Sequence, residues 1–379
     1  MSLRAGDAGV VEMSEPSGFQ IKIIQDSAAQ AEDLVSRVSR RKSLASNLLG
    51  MNLEPVQLRL SDTTDTVLLQ HTDEVLSFAF SPDGRTLVAA GEDATVVLWD
   101  VQAKARIMEI KMDNTVAAVA YSPSGMYIAA GVPAGENSRI STWCTHTQRA
   151  EATVEVEGGL LALALVSAPT EMLAAGTSAK KVMLFSVPAL GIIAELQHDG
   201  HVHSLCFSPD GAKLAGGGGT DDMHGLMTKK TQDHAMKTVV WHVSPHRDSC
   251  RYLGVIASDD IIHATAFSPS GKLLAIGGES RIIATLMVDR DFEKASELPC
   301  AAGVRCLAWS PDSRFLASGG EDMQVSVWDF VKEALVFQLP KAPDWVCGIA
   351  FSPDGAWLAR CGFGTDGVAL HKVAVVRQL

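Results

Sequence analysis

The 379-residue chain contains no apolar run approaching the roughly 18 residues that crossing a bilayer demands, so membrane insertion is not expected. Its opening stretch, MSLRAGDAGVVEMSEPSG, lacks the apolar core of a secretory leader, which makes the cytoplasm the expected compartment, with the nucleus also open. Charged residues make up only 20% against 47% hydrophobic ones, which excludes a chain disordered throughout. Cysteine is sparse. Seven scattered thiols form no Cys-x-x-Cys pair, which argues against a zinc framework, a thioredoxin-type redox site and a disulfide scaffold. Catalytic signatures are missing as well: there is no nucleophile elbow, no Gly-x-x-x-x-Gly-Lys phosphate loop and no metalloprotease helix. The run GGGG at 216–219 is not followed by Lys-Ser/Thr and reads as a flexible hinge. Neither enzyme activity nor a cofactor is therefore expected.

Positive charge is also in short supply. The net charge is −12, and residues 1–60 are balanced with seven acidic and seven basic side chains, so the whole excess of acid lies beyond them. An acidic body repels phosphate backbones and anionic lipid surfaces. Nucleic acid is thus not an expected partner, whereas basic protein segments are.

What the chain has in abundance is a repeat. AFSPDG or a close variant recurs with its serine at 81, 122, 208, 268, 310 and 352, at intervals of 41, 86, 60, 42 and 42. The interval of 86 is two periods, whose middle unit, ALVSAPTEMLAAG at 164–176, is spoiled by Ala168 and Pro169; the interval of 60 is one period plus an insertion. Seven units of about 42 residues result, the period of propeller blades. Each unit reads as four short strands with turn chemistry between them, as in EVLSFAFS, TLVAAG, TVVLWDV and RIMEIK of the first. Proline, aspartate and glycine supply the dihedrals of the first turn.

The dipeptides Trp99-Asp100 and Trp328-Asp329, the turn aspartates Asp93 and Asp322, and His71 before a first strand resemble the WD-repeat family over roughly residues 61–379. The resemblance implies an all-β, seven-bladed propeller whose blades are each pinned by a histidine, a strand-two hydroxyl, a turn aspartate and a tryptophan indole. Blade one would use His71, Asp93 and Trp99, with Ala90 at the hydroxyl position. Blade six would use Ser318, Asp322 and Trp328, with Cys300 at the histidine position. Phe185, Leu286 and His371 take the tryptophan place in blades three, five and seven. The strand missing from the last blade can come from TVLLQH at 66–71, locking the ring. Eight blades using FQIKII and VQLRL form the alternative count.

Residues 1–18 are expected to be a disordered tail, and 19–60 an extension with an amphipathic helix at about 27–49, started by Ser27 with Gln30 and stopped by Gly50. Inside it RRKSL at 40–44 makes Ser43 a candidate phosphorylation site. Blade four carries a long insertion, about 216–237, in a histidine-rich stretch whose spacing matches no ligand motif, so no metal is assigned. The expected function is a non-catalytic scaffold or adaptor that binds basic or partly apolar protein segments. Its binding face is expected where the loops entering first strands and those before third strands share one end, at Asp73, Glu74, Glu92, Glu321, Asp344 and Trp345, with the blade-four insertion beside them. Two alternatives stand beside it. One is a regulatory module whose amino-terminal helix docks a partner and is switched at Ser43; the other is a propeller enzyme with acids such as Asp221, Asp222 and Glu92 at the channel mouth.

Overall fold

The Ser-Pro-Asp-Gly turn shows why the repeat is so regular. In the computed structural model, which describes residues 2–5, 10–14, 20–24, 56–60, 66–167, 170–220, 236–246 and 249–377, this turn satisfies its own polar groups. Ser81 Oγ donates to Asp83 Oδ1 at 2.6 Å and accepts from the Thr86 amide at 3.0 Å, while the Gly84 amide donates to the Ser81 carbonyl. Gly84 sits at φ 69°, a region that favours glycine. A Cβ added there would meet Pro353 Cδ of the seventh blade at 3.3 Å, so the turns of neighbouring blades also touch around the ring.

Seven antiparallel sheets make up the ring, and all but the third carry this turn or a close variant. Blade one comprises Val75–Phe80, Thr86–Gly91, Thr95–Asp100 and Ala105–Lys111, paired in that order. Blades two to six repeat the pattern from Ala118, Leu160, His201, Ile262 and Val304. Blade seven takes Val346–Phe351, Trp357–Gly362 and Gly367–Arg377 from the carboxy-terminal part, and Val67–Gln70 supplies its fourth strand by pairing Gly367↔Gln70 through Leu370↔Val67. The expected closure is what the chain does. Val56–Leu60 pairs with Val373–Arg377, the outer half of the same long strand, and Gln20–Ile24 pairs with Val10–Ser14, so neither stretch builds an eighth blade.

The core lies between blades rather than inside any one of them, because a single sheet cannot bury both of its faces. Leu87, Val97 and Trp99 of blade one pack with Ala359 and Leu370 of blade seven and with Leu69 of the closing strand. Second strands such as Leu273–Gly278 are buried throughout, whereas outer strands such as Arg251–Ala257 are largely exposed.

Two expectations are corrected. GGGG at 216–219 is no hinge: it ends the buried strand Lys213–Gly219, where an added Cβ at Gly216 would meet Trp241 at 2.9 Å and at Gly217 would meet Ile262 at 2.5 Å. Close approach of neighbouring chain, not flexibility, demands these glycines. The disordered tail expected over 1–18 gives way at its described residues. Ser2–Ala5 and Val10–Ser14 are strands that form a three-stranded antiparallel sheet with Gln20–Ile24, in a unit of its own over Met1–Pro55. The propeller unit begins at Val56. The helix expected at 27–49, Ser43 within it, and Asp221 and Asp222 of the blade-four insertion lie outside the described residues.

Candidate protein-binding face and the pins of the blades

Strand register brings the tryptophan places of the seven blades into equivalence. Trp99, Trp143, Phe185, Trp241, Leu286, Trp328 and His371 each lie opposite a buried leucine or isoleucine of the second strand: Leu87, Ile128, Leu173, Leu214, Leu274, Leu316 and Leu358. In blade one the polar pin is continuous. The Trp99 indole donates to His71 Nε2 at 3.4 Å, His71 Nδ1 donates to Asp93 Oδ2 at 2.9 Å, and Asp93 Oδ1 accepts from the Thr95 amide at 3.0 Å. Burial lowers the pKa of His71, outweighing the raising effect of Asp93, so its ring is held neutral. For Asp93 burial pushes the carboxyl up, but hydrogen bonds from Thr95 and His71 win and leave it below its ordinary value.

The register also corrects the hydroxyl position. Ser318 lies opposite Ser326 in blade six, and the matching residue of blade one is Ala89, opposite Val97, not Ala90. With no hydroxyl there, the indole reaches the imidazole directly. In blade six the Trp328 indole donates to Ser318 Oγ at 3.1 Å, and Asp322 Oδ1 accepts from the Gln324 amide at 3.1 Å, so the pin is split into two parts.

Of the six residues expected on the binding face, Asp73, Glu74, Asp344 and Trp345 sit where first strands begin, and Glu92 and Glu321 sit in the turn between strands two and three. The turn between strands two and three reaches the same end, since its amides donate back to the first-strand entrance: Glu92 to Glu74, Glu321 to Gly303, Phe363 to Trp345. Three of the six join one chain of contacts across blades six, seven and one. Glu321 accepts from Arg305 at 2.6 and 3.1 Å, Arg305 stacks 5.0 Å from the Trp345 ring, and Trp345 lies 6.4 Å from Phe363. Glu74 then accepts from the Gly364 amide at 2.8 Å. Glu92 accepts from Thr115 at 3.2 Å, while Asp73 and Asp344 accept the amides that follow them. Trp345 and Phe363 remain 37% and 36% exposed.

Arg305 and Phe363 were missed by reading the sequence. Arg305 is the extra residue of a β-bulge, since pairing steps from Val304↔Gly320 to Cys306↔Gly319. The same bulge occurs in blades one, three, four, five and seven, at Leu76, Leu161, His203, His263 and Cys347. A bulge re-aims a side chain. The signal was available, because these six residues occupy one position in the aligned repeats, but strict alternation hides it. Among the described residues, no group of three His, Cys, Asp or Glu is placed to hold a metal. His198 fills the buried place before a first strand, while His201 and His203 lie on the strand itself.

Sheets closed into a ring by an amino-terminal strand, with an indole pin in register, define a β-propeller of the WD-repeat type. The repeat profile "WD domain, G-beta repeat" matches residues 63–100, 192–223, 293–329 and 334–369, and the chain is a WD-repeat propeller. It is 31% identical over 185 residues to Protein HIR1 of Gibberella zeae, covering 43% of this chain and 16% of that protein. It is 32% identical over 142 residues to the UBP9-binding protein bun62 of Schizosaccharomyces pombe, covering 35% and 24%. With the WD repeat-containing protein 26 homolog of Drosophila melanogaster it shares 24% identity over 332 residues, covering 73% and 50%. The chain thus spans at most half the length of these three relatives. WD-repeat propellers of this kind typically serve as interaction platforms rather than catalysts. Among the described residues, no helix is long and apolar enough to cross a membrane.

Proposed function

We propose that this propeller is a non-catalytic scaffold or adaptor whose strand-entrance face holds a basic, partly apolar protein segment. The observation that carries the reading is the exposed pair Trp345 and Phe363, held at that face by Arg305 on one side and by the Glu74–Gly364 contact on the other. Aromatic residues that are rigidly held yet exposed supply contact area at little entropic cost. Asp73, Glu92 and Asp344 lie at the same end of the blades, and acids there steer cationic segments toward the anchor. Arg305 neutralises Glu321, so the steering falls mainly to the other acids. One relative is itself named for a binding partner, which accords with a binding role. The reading extends to a cytoplasmic or nuclear address, supported by the free state of the seven cysteines.

The test is an array of short peptides graded in Lys/Arg and Leu content. The wild-type chain should retain the basic, Leu-containing peptides. Trp345→Ala should release them faster, by roughly tenfold or more in dissociation rate for an anchor residue. Asp73→Lys with Glu92→Lys should slow association and weaken its salt dependence. Unchanged kinetics in both variants would sink the assignment of this face.

A further inference from the structure

Blades one and six share the Glu-Asp turn and the tryptophan, but differ at the residue just before strand one. The backbone there is equivalent: the His71 amide donates to the Asp366 carbonyl at 2.8 Å, and the Cys300 amide donates to the Arg281 carbonyl at 2.8 Å. The side chain is not. His71 fills the space between indole and carboxylate in blade one, whereas in blade six a cavity of about 200 Å³ opens beside Cys300, lined by Ser318, Asp322, Gln324, Trp328 and Gln338 among others. That is several times the roughly 30 Å³ share of one water molecule. Blade two closes the same place with an apolar side chain, Met112 packed in one cluster with Trp143.

The polar groups around the cavity match those that hold the imidazole of blade one. Asp93 uses Oδ1 for the Thr95 amide and Oδ2 for His71; Asp322 uses Oδ1 for the Gln324 amide, and its other oxygen has no hydrogen bond among the described residues. Ser318 Oγ accepts from the Trp328 indole at 3.1 Å and hydrogen-bonds the Cys300 thiol, while its hydroxyl donates to the Ser326 carbonyl at 3.5 Å, a long bond that a ring nitrogen would replace. Cys300 is a poor substitute for a ring. Burial, with help from Asp322 and against the hydrogen bond with Ser318, pushes its thiol up to about 12, so it stays a weak protonated donor.

We propose that the blade-six cavity is a binding site for a neutral imidazole or closely similar azole ring, seated where His71 sits in blade one. The ring N–H donates to the second oxygen of Asp322, and the bare ring nitrogen accepts from the Ser318 hydroxyl. Two sources share this chemistry: a free azole, or a histidine side chain of a segment lying on the strand-entrance face. Gly303 at the cavity edge lies against Glu321 of that face, where an added Cβ would meet Glu321 Cδ at 2.9 Å. The site itself does not depend on that face binding anything.

The test titrates the full chain at pH 8, where imidazole is largely neutral, and follows the Trp328 indole N–H cross-peak and the melting temperature. Free imidazole should shift both saturably, with a dissociation constant on the order of millimolar, the range open to so small a ligand. Cys300→His should melt higher than the wild type and show neither response, because its own ring fills the cavity. Asp322→Asn should fold and bind imidazole at least about tenfold more weakly, which keeps the test decisive if Cys300→His does not fold. N-acetylhistidine methylamide, run beside its alanine counterpart, separates the sources. A response to the histidine compound admits a partner side chain, and a response to imidazole alone restricts the site to small azoles. If neither compound moves the cross-peak, or Asp322→Asn responds as the wild type does, the proposal is overturned.

Discussion

His371 shows how one substitution in the repeat changes what a blade responds to. It occupies the tryptophan place of blade seven, where Nδ1 lies 3.3 Å from Thr66 Oγ1 and the buried Nε2 has no hydrogen-bond partner among the described residues. Burial, with Arg360 adding to it, lowers its pKa to about 4. An unfolded histidine takes up its proton near pH 6.5, so between pH 6.5 and about 4 the unfolded chain binds a proton that the folded chain refuses. Stability from this group is therefore full above pH 6.5 and is lost as pH falls toward 4. His71 and His198 are lowered in the same direction, by burial first. We expect urea midpoints to drop across this window, and the gap between wild type and His371→Leu to change there and level off below pH 4. A gap that stays constant with pH would mean that His371 titrates normally.

At the scale of the strand, the decisive feature is the glycine at the end of the second strand, or one residue before it in blade four. Added Cβ atoms at Gly91, Gly218, Gly278, Gly320 and Gly362 would stand 1.9 to 2.0 Å from the carbonyl oxygens of Glu74, His201, Ile261, Gly303 and Trp345. Five blades thus bring the same two backbone stretches too close for any side chain, and this approach holds the strand-two turn against the strand-one entrance. Gly320→Ala should cost roughly 1–3 kcal/mol, the range for overpacking a tight site. Gly254, on an outer strand, has nothing within 4 Å of its added Cβ. There Gly254→Ala should be neutral or stabilise by up to about 1 kcal/mol, through the reduced entropy of the unfolded chain. Denaturant midpoints that rank the two variants alike would refute this account. The glycines were visible in the sequence, but GGGG read alone suggested freedom of movement, because what surrounds them comes from distant parts of the chain.

For the whole molecule, stability depends on the joint between its two ends. Val67–Gln70 completes blade seven, and the His71 amide donates to the Asp366 carbonyl at 2.8 Å as the chain passes into blade one. A ring of blades that bury their faces on one another loses two interfaces' support when one blade is left incomplete. Removing residues 1–71 should therefore lower the melting temperature and broaden the transition, whereas removing 1–50 leaves both strands that pair with Gly367–Arg377 and should leave the melt of the ring cooperative. Calorimetry of the two truncations decides it: an unchanged cooperative melt after the longer deletion would show that the ring does not need this strand.

The blade number, the four-strand rhythm, the closing strand and the tryptophan places were all legible in the residue string. They rest on local rules: a turn that bonds its own serine, aspartate and glycine, and apolar alternation between turns. The positions of Glu74, Glu321 and Trp345 at one end followed from the same phase. What tertiary structure decided was everything that depends on a residue's partner in another strand or blade. The bulge that turns Arg305 toward Glu321 and Trp345 breaks the alternation by one residue, so the period-two pattern conceals it. Ala89 rather than Ala90 faces the hydroxyl place because register, not resemblance of strings, aligns the strands. The blade-six cavity exists because Cys300 is shorter than the ring its surroundings could hold, and a string of letters records the thiol but not the space beside it. Sequence carries the local conformational choices, while contact and volume are set only when distant segments meet.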